Sequence, residues 1–266
     1  MDILRRSLAP VTDEAWKEID EQAADSLKPL LSARKFVDVV GPLGWDYAAV
    51  STGRLNVPED QDHSKVCYGV RQVQPLVEAR MGFKLSTWEL DNVVRGAKDI
   101  ELEPLQDAAA KIARFEDNAI FNGFEEACIE GIKNTVADDA LSVKLEPQAV
   151  IDAVSRGQAR MIEAGISGPY ALVASPKVWS FLAHTTQGGT LRKVIGSQIE
   201  GPVIYSASVP DALLVSLRGG DMELVLGSDL AVGCEGYDQH TVHLYLTESF
   251  TFRIMEPAAM VAYKIK

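Results

Sequence analysis

A run of strand-forming residues followed by a turn signal is found in the segment Arg34-Lys35-Phe36-Val37-Asp38-Val39-Val40-Gly41-Pro42-Leu43-Gly44. Its first seven residues predict an extended strand, and the glycines and proline that follow predict a turn that ends it. Side chains alternate across a strand, so Arg34, Phe36 and Asp38 would share one face. Val37 and Val39 would share the other face. The valines predict the core side of the strand.

The opposite face of this predicted strand carries an aromatic ring between two opposite charges. Such a strip could receive a short peptide with apolar anchors. The alternative is that Phe36 is covered by the preceding helix and that the two charges are solvated. The residues alone leave both interpretations open.

An amphipathic helix precedes this stretch and a long ribbon follows it. Thr12 is a suitable N-cap, and the helix is predicted to bury a stripe of Trp16, Ile19, Ala23 and Leu27 until Pro29 ends or kinks it. Residues 51–74 predict two ribbon arms around a polar tip. Because an isolated two-stranded hairpin is only marginally stable in water, this ribbon indicates an oligomer.

The remaining elements mix helices and strands without a β-α-β rhythm, which predicts an α+β fold. Helices are predicted from Pro104, over 124–132, from Pro147 and from Ser175-Pro176. Strands are predicted over 170–174, as a hairpin over 212–226 with its turn at 218–221, over 241–255, and up to Lys264.

Charge and composition exclude several classes of function. The 266 residues contain 26 Lys and Arg and 38 Asp and Glu, a net charge of −12. Binding to nucleic acid requires a basic face, so no nucleic-acid partner is expected. The longest apolar runs fall well short of the roughly 18 residues of a membrane span, so no membrane partner is expected. Three widely spaced cysteines favour a reducing cytoplasm.

Sequence motifs for catalysis or for metal and cofactor binding are not found. Phosphate-binding glycine loops, the Gly-x-Ser-x-Gly elbow and the Glu-x-x-His pattern of di-iron bundles are all missing. His240 and His243 have an odd spacing, which puts them on opposite faces of a strand. The acidic pairs Glu116-Asp117 and Glu125-Glu126 are interpreted as solvated helix faces. The sequence therefore predicts no catalytic residue and no metal site, and favours a structural or binding role over an enzyme.

Blocks of sequence along the whole chain resemble the encapsulin family. They include residues 34–49, Trp88-Glu89-Leu90-Asp91-Asn92, Phe115-Glu116-Asp117, Gly168-Pro169-Tyr170, Arg218-Gly219-Gly220-Asp221 and Glu248-Ser249-Phe250-Thr251-Phe252. The resemblance implies a nanocompartment shell protein of the kind once named linocin-type bacteriocins, with the Hong Kong 97 fold of tailed-phage major capsid proteins. It implies a peripheral domain (1–47, 81–130 and 221–266), an extended loop (48–80) and an axial domain (131–220).

The same resemblance implies the partners and sites of the protein. About sixty copies would close into a hollow icosahedral shell. A cargo enzyme, either a dye-decolourising peroxidase or a ferritin-like protein, would be held inside through its C-terminal targeting peptide. The implied peptide-binding residues are Arg34, Phe36, Asp38, Leu230 and Val232, and those implied for the five-fold pore are His184, Thr185, Gln187, Gly188 and Gly189. The shell would need no cofactor of its own, although flavin binding is left open, and haem or iron would belong to the cargo.

Two other functions remain open on the sequence. A phage or prophage major capsid protein would share the fold, although the acidic net charge disfavours a DNA-filled interior. A soluble enzyme, such as the protease sometimes attached to this family, lacks a recognisable set of catalytic groups.

Overall fold

The computed structural model describes residues 3–186 and 189–266. Within these residues the chain forms seven α-helices: α1 Asp13–Leu30, α2 Thr87–Val94, α3 Glu103–Asn122, α4 Ile132–Val136, α5 Pro147–Glu163, α6 Pro176–Phe181 and α7 Leu191–Ile199. The described strands are β1 Asp38–Val40, β2 Ala49–Asn56, β3 Val70–Pro75, β4 Val77–Ser86, β5 Leu141–Val143, β6 Tyr170–Ala174, β7 Thr185–Thr186, β8 Gly189–Thr190, β9 Val203–Tyr205, β10 Ala212–Ser216, β11 Met222–Tyr237, β12 Thr241–Ile254 and β13 Met260–Ile265.

A four-stranded sheet in the order β1-β11-β12-β4 is covered by α1 and α3. β1 runs parallel to β11, and the other two pairings are antiparallel. The predicted stripe of α1 is buried, and the Thr12 hydroxyl accepts a hydrogen bond from the backbone N–H of Ala15 at 3.2 Å, which caps the helix. These apolar side chains pack with Ile112 of α3 and Leu244 of β12. The helix ends at Leu30, one residue after Pro29.

A five-stranded sheet in the order β5-β13-β10-β6-β9 forms the second layer of the molecule. Its inner strand β6, between β10 and β9, is buried along its whole length, as predicted for residues 170–174. α5 and α7 pack on this sheet through Val154, Met161 and Ile195. Ser175 caps α6 by accepting a hydrogen bond from the backbone N–H of Val178, which confirms the helix start predicted at Ser175-Pro176.

A third apolar cluster joins the two sheets. It combines Val173 and Val215 of the five-stranded sheet with Leu224 and Phe252 of the four-stranded sheet, and it includes Phe121 at the end of α3. The two sheets therefore pack against each other through this cluster.

The ribbon β2–β3 stands apart from these layers as a separate two-stranded sheet, as predicted for residues 51–74. The ribbon and the segment that joins its two strands carry exposed apolar side chains, at Leu55, Val57, Val66, Tyr68 and Val70. A two-stranded ribbon with apolar side chains in water has little stability of its own.

The structure contradicts the elements predicted over residues 212–226 and 124–132. The hairpin over 212–226 does not form, because β10 pairs with β6 and β13 whereas β11 belongs to the other sheet. Residues 124–132 form a short 3-10 turn at 125–127 and an isolated bridge between Phe124 and Ile129 instead of a helix. Within residues 221–266, β11 and β12 belong to the four-stranded sheet, whereas β13 pairs with β10 and β5 in the five-stranded sheet.

Candidate functional site

The stretch that was predicted as a strand over 34–40 is a turn followed by a short strand. Ala33–Lys35 form one turn of 3-10 helix, and only Asp38–Val40 pair with a neighbour. The buried carboxylate of Asp117 on α3 explains the turn, because it accepts hydrogen bonds from the backbone N–H groups of Ser32 and Ala33 at 3.2 and 3.0 Å. The alternation of faces predicted for Arg34, Phe36 and Asp38 is therefore wrong.

The core side of this segment also differs from the prediction. Phe36 is only 7% exposed and its ring lies 5.9 Å from that of Phe121, whereas Val39 is 44% exposed. Asp38 accepts a hydrogen bond from the backbone N–H of Gly220 at 2.6 Å. Phe36 and Asp38 line a small cavity of about 180 Å³ beside Leu217. The accessible strip of aromatic and charged side chains is thus not formed.

A larger groove of about 650 Å³ lies between α1 and β11. Its lining contains three of the five residues implied for peptide binding, namely Arg34, Leu230 and Val232. The apolar part of the lining comes from three elements: Ala23, Leu27 and Leu31 in and after α1, Leu230 and Val232 of β11, and Leu246 of β12. Phe36 and Asp38 are not among the residues that line it.

Charged side chains border this apolar lining. Arg6 pairs with Asp20 of α1 at 2.8 Å and lies over the Trp16 ring at 4.0 Å. Arg34 pairs with Asp229 at 2.7 Å. Lys35 donates to the backbone carbonyl of Pro29 at 2.9 Å, so it closes the turn after α1. An apolar floor with charges at its margin is suited to an extended peptide with apolar anchor residues.

The Arg34 guanidinium is hydrogen-bonded to two buried carboxyl groups. Its Nε donates to both carboxylate oxygens of Glu116 at 3.0 and 2.9 Å, and its Nη2 donates to Glu248 Oε2 at 3.1 Å. Both glutamates are 0% exposed. Burial opposes the charge on Arg34, but hydrogen bonds to Glu116 and Asp229 outweigh it and raise the pKa of the guanidinium.

The sequence interpretation missed these glutamates. Glu116 and Asp117 are both buried, which corrects the assignment of this acidic pair to a solvated helix face. Desolvation raises the pKa of Asp117 to about 6, although hydrogen bonds from Ser32 and Ala33 work in the opposite direction. The sequence does contain a signal for the burial of Glu116, because this residue lies four residues after Ile112 and four before Ile120, on the buried stripe of α3.

Of the residues implied for a pore, Thr185 and Gly189 lie in two short paired strands, and His184 precedes the first of them. Thr185 pairs with Thr190 and Thr186 with Gly189, while the His184 Nδ1 lies 2.7 Å from the carbonyl oxygen of Phe181. Gln187 and Gly188 lie outside the described residues. Gly189 has a φ of +111°, a conformation that glycine adopts without strain.

Other chemistry is sparse in the part of the chain that the structure describes. Over residues 3–186 and 189–266 no group of three or more His, Cys, Asp or Glu side chains could hold a metal ion. The same residues contain no helix that is both long enough and apolar enough to cross a membrane. Cys67 and Cys128 are exposed and Cys234 is buried.

Comparison with solved structures identifies the fold. A virus-like particle from Pyrococcus furiosus matches 94% of this chain and 99% of its own, with a TM-score of 0.66 and 14% identity. The capsid of Myoviridae phage XM1 covers 87% of this chain and 90% of its own, with a TM-score of 0.54 and 12% identity. The α+β fold is therefore that of the tailed-phage major capsid proteins.

Comparison of sequences identifies the family. The family model described as "Encapsulating protein for peroxidase" matches residues 1–251. A type 1 encapsulin shell protein of Rhodospirillum rubrum is 40% identical over 268 residues, which cover 98% of this chain and 96% of that protein. The chain belongs to the encapsulin family of non-enzymatic shell proteins, which assemble with copies of themselves and enclose a cargo.

Proposed function

We propose that the groove between α1 and β11 binds a short C-terminal peptide of the cargo and so retains the cargo on the inner wall of the shell. The observation that carries this proposal is the combination of a volume of about 650 Å³ with an apolar lining from α1, β11 and β12. Leu230 and the buried Val232 supply the sheet side of the lining, and Leu27 supplies the helix side. Anchor residues of the peptide would replace water on these apolar surfaces.

Arg34 gives the groove a fixed charged group beside the apolar lining. Its side chain is 16% exposed, and its Nη1 reaches Asp229, which is itself 49% exposed. The ion pair is therefore accessible from the groove, where a polar group of the peptide can bond to either partner. Phe36 and Asp38 are not part of this proposal, because neither lines the groove.

About sixty copies of the chain would close into a hollow icosahedral shell in the cytoplasm. The exposed apolar side chains of the ribbon β2–β3 support contact with neighbouring copies, because they are covered only when another subunit lies on them. The hairpin of β7 and β8, with His184 before it, would line the pore at the five-fold axis, together with Gln187 and Gly188.

The cargo would be a dye-decolourising peroxidase or a ferritin-like protein, and haem or iron would belong to that cargo. An oligomeric cargo that offers several peptides to one inner wall would gain avidity from the many identical grooves around it. Mass spectrometry of particles purified from the native host identifies the contents directly. A gene for either cargo class beside the shell gene, rather than portal and terminase genes, is the expected neighbourhood.

Assembly is tested by size-exclusion chromatography and negative-stain imaging of the purified chain. Closed particles of uniform diameter are expected. A stable monomer or dimer without closed particles would contradict the proposed shell.

Cargo binding is tested separately with a fluorescent reporter protein. The reporter carries the C-terminal segment of the protein identified inside native particles. Leu230→Asp places a charge on the apolar lining and should abolish retention of the reporter, whereas Leu230→Met keeps an apolar side chain and should retain it. Equal loading of intact Leu230→Asp and wild-type shells would show that the peptide binds elsewhere.

A further inference from the structure

The cluster around Arg34 holds more carboxyl groups than one guanidinium can neutralise. Arg34 contacts Glu116 of α3, Asp229 of β11 and Glu248 of β12. Asp229 reaches solvent, but the two glutamates are completely buried. Three ionised carboxylates around one positive charge would leave negative charge in the interior, which is strongly unfavourable.

The two buried glutamates are close neighbours. The same nitrogen of Arg34, Nη2, donates to an oxygen of Glu116 and to Glu248 Oε2. Glu116 is well satisfied, since the Nε of Arg34 also donates to both of its oxygens. Glu248 Oε1, by contrast, has no hydrogen-bond partner within the described residues and is inaccessible to solvent. An ionised Glu248 would therefore keep one oxygen charged, buried and unpaired.

We propose that Glu248 carries a proton in the folded shell and that this neutral carboxyl group, together with Glu116, positions Arg34 at the groove. With Glu248 neutral, the guanidinium forms a bidentate pair with Glu116 and still has Nη1 free to bond Asp229 at the groove surface. Glu116 and Glu248 are thus positioning residues for Arg34. The link to the groove rests on the proposed peptide-binding function, whereas the protonation of Glu248 does not.

The surroundings of Glu248 favour this assignment on balance, because the causes that raise its pKa outweigh the attraction of Arg34. Burial is the largest cause that raises its pKa, followed by the negative charge of Glu116, while Arg34 lowers it and Asp229 raises it further. On the neighbouring strand β4 the residue paired with Glu248 is Ala79, which has no charge. Asp117 adds no direct contact, because its carboxylate bonds to Ser32 and Ala33.

Deprotonation has a defined consequence for the groove. Loss of the proton would put a second buried negative charge beside Nη2 of Arg34. The guanidinium would then be drawn toward the buried pair and away from Asp229. Because the folded shell binds a proton that the unfolded chain releases near pH 4.5, stability from this group is complete below that pH and is lost as the pH rises through the folded value.

Infrared spectroscopy of assembled shells tests the protonation directly. The spectra are recorded at pH 8, where the exposed carboxylates and Asp117, whose pKa is raised to about 6, are ionised, so a carbonyl-stretch band of a protonated carboxylic acid is expected to arise from Glu248. The band should disappear in Glu248→Gln and persist in Glu21→Gln, which changes an exposed glutamate on α1. Wild-type shells without such a band, including shells in which a bound cation replaces the proton, would overturn the proposal. This measurement on the wild type stands even if the variant fails to assemble.

The positioning role is tested by the pH dependence of thermal unfolding and of loading. Between about pH 5 and pH 9 the Tm of the wild type should fall, and that of Glu248→Gln should fall less. Retention of the reporter protein should likewise fall with rising pH, and it should fall more in the wild type than in Glu248→Gln. Parallel pH profiles for both shells would refute the positioning role. If the wild type does not retain the reporter at any pH, the peptide-binding function fails, but the infrared band and the Tm profile still decide the protonation.

Discussion

Replacing Phe36 with alanine distinguishes two roles for this ring, a peptide contact or a core side chain. The resemblance to encapsulins implies the first role, whereas the structure places the ring against Phe121 and within the cluster that joins the two sheets. We expect Phe36→Ala to lower the stability of the shell far more than its affinity for the cargo peptide.

The magnitude follows from burial. Phe36 is 7% exposed, so truncation to alanine removes nearly all of a buried ring and leaves a cavity. Such changes destabilise proteins by about 3–5 kcal/mol. For a chain of this length each kcal/mol lowers the Tm by roughly 2–4 °C, so a decrease of about 10 °C is expected.

Differential scanning calorimetry of purified, assembled shells is the appropriate assay, combined with reporter retention on the same preparations. Phe36→Leu keeps most of the apolar volume and should lower the free energy of unfolding by only about 1 kcal/mol. Leu230→Ala should show the opposite pattern, because this half-buried side chain lines the groove: reduced retention and a Tm close to that of the wild type.

The result that would refute this reasoning is equally specific. If Phe36→Ala shells unfold within about 2 °C of the wild type and yet lose the reporter, the ring contacts the peptide and is not a core side chain. A lower Tm with unchanged retention would exclude Phe36 from the peptide site.

Three further predictions concern residues that stabilise the fold. Asp117→Asn should remove a pH dependence of stability of about 3 kcal/mol. Burial raises the pKa of Asp117 to about 6, so its contribution to stability is complete below its ordinary pKa of 3.8 and is lost as the pH rises through 6. Tm values of both proteins at pH 4 and pH 7 will detect the difference. Arg218→Ala leaves the buried carboxylate of Asp221 without its bidentate partner and should lower the Tm. Lys17→Ala, at an exposed ion pair, should leave the Tm almost unchanged in the same calorimetric assay. Gly41→Ala should strongly reduce the yield of assembled shells, because the φ of Gly41 is +121° and a Cβ there would lie 2.5 Å from the carbonyl oxygen of Leu226. Gly236→Ala, where a Cβ would meet open space, should assemble normally. An equal yield for both variants would contradict the steric argument.

Local patterns in the sequence predicted the elements that depend on neighbouring residues. The stripe and cap of α1, the start of α3 near Pro104, the buried strand β6 and the ribbon β2–β3 all follow from periodicity, capping and turn chemistry within short windows. The blocks that resemble encapsulins predicted the family and the fold, which the comparisons confirm.

Predictions failed where a distant partner determines the local structure. Residues 33–35 turn because Asp117, more than eighty positions away, accepts their backbone hydrogen bonds. The segment 212–226 looks like a hairpin in the sequence, but each of its strands finds better partners in a different sheet. Hydrogen-bond donors are satisfied by whichever acceptor the packing brings near, and a short window of sequence does not contain that information.

From the sequence alone it follows that this chain is acidic, that it mixes helices and strands in an α+β order, and that it resembles a shell-forming family. The residues that form the groove are apparent only in the folded chain, because α1, β11 and β12 bring Leu27, Leu230 and Leu246 together from three separate parts of the chain. The same packing buries Glu116 and Glu248 against one guanidinium. Their charge states depend on the loss of solvent around them, which arises only when the helix and the sheet close on each other.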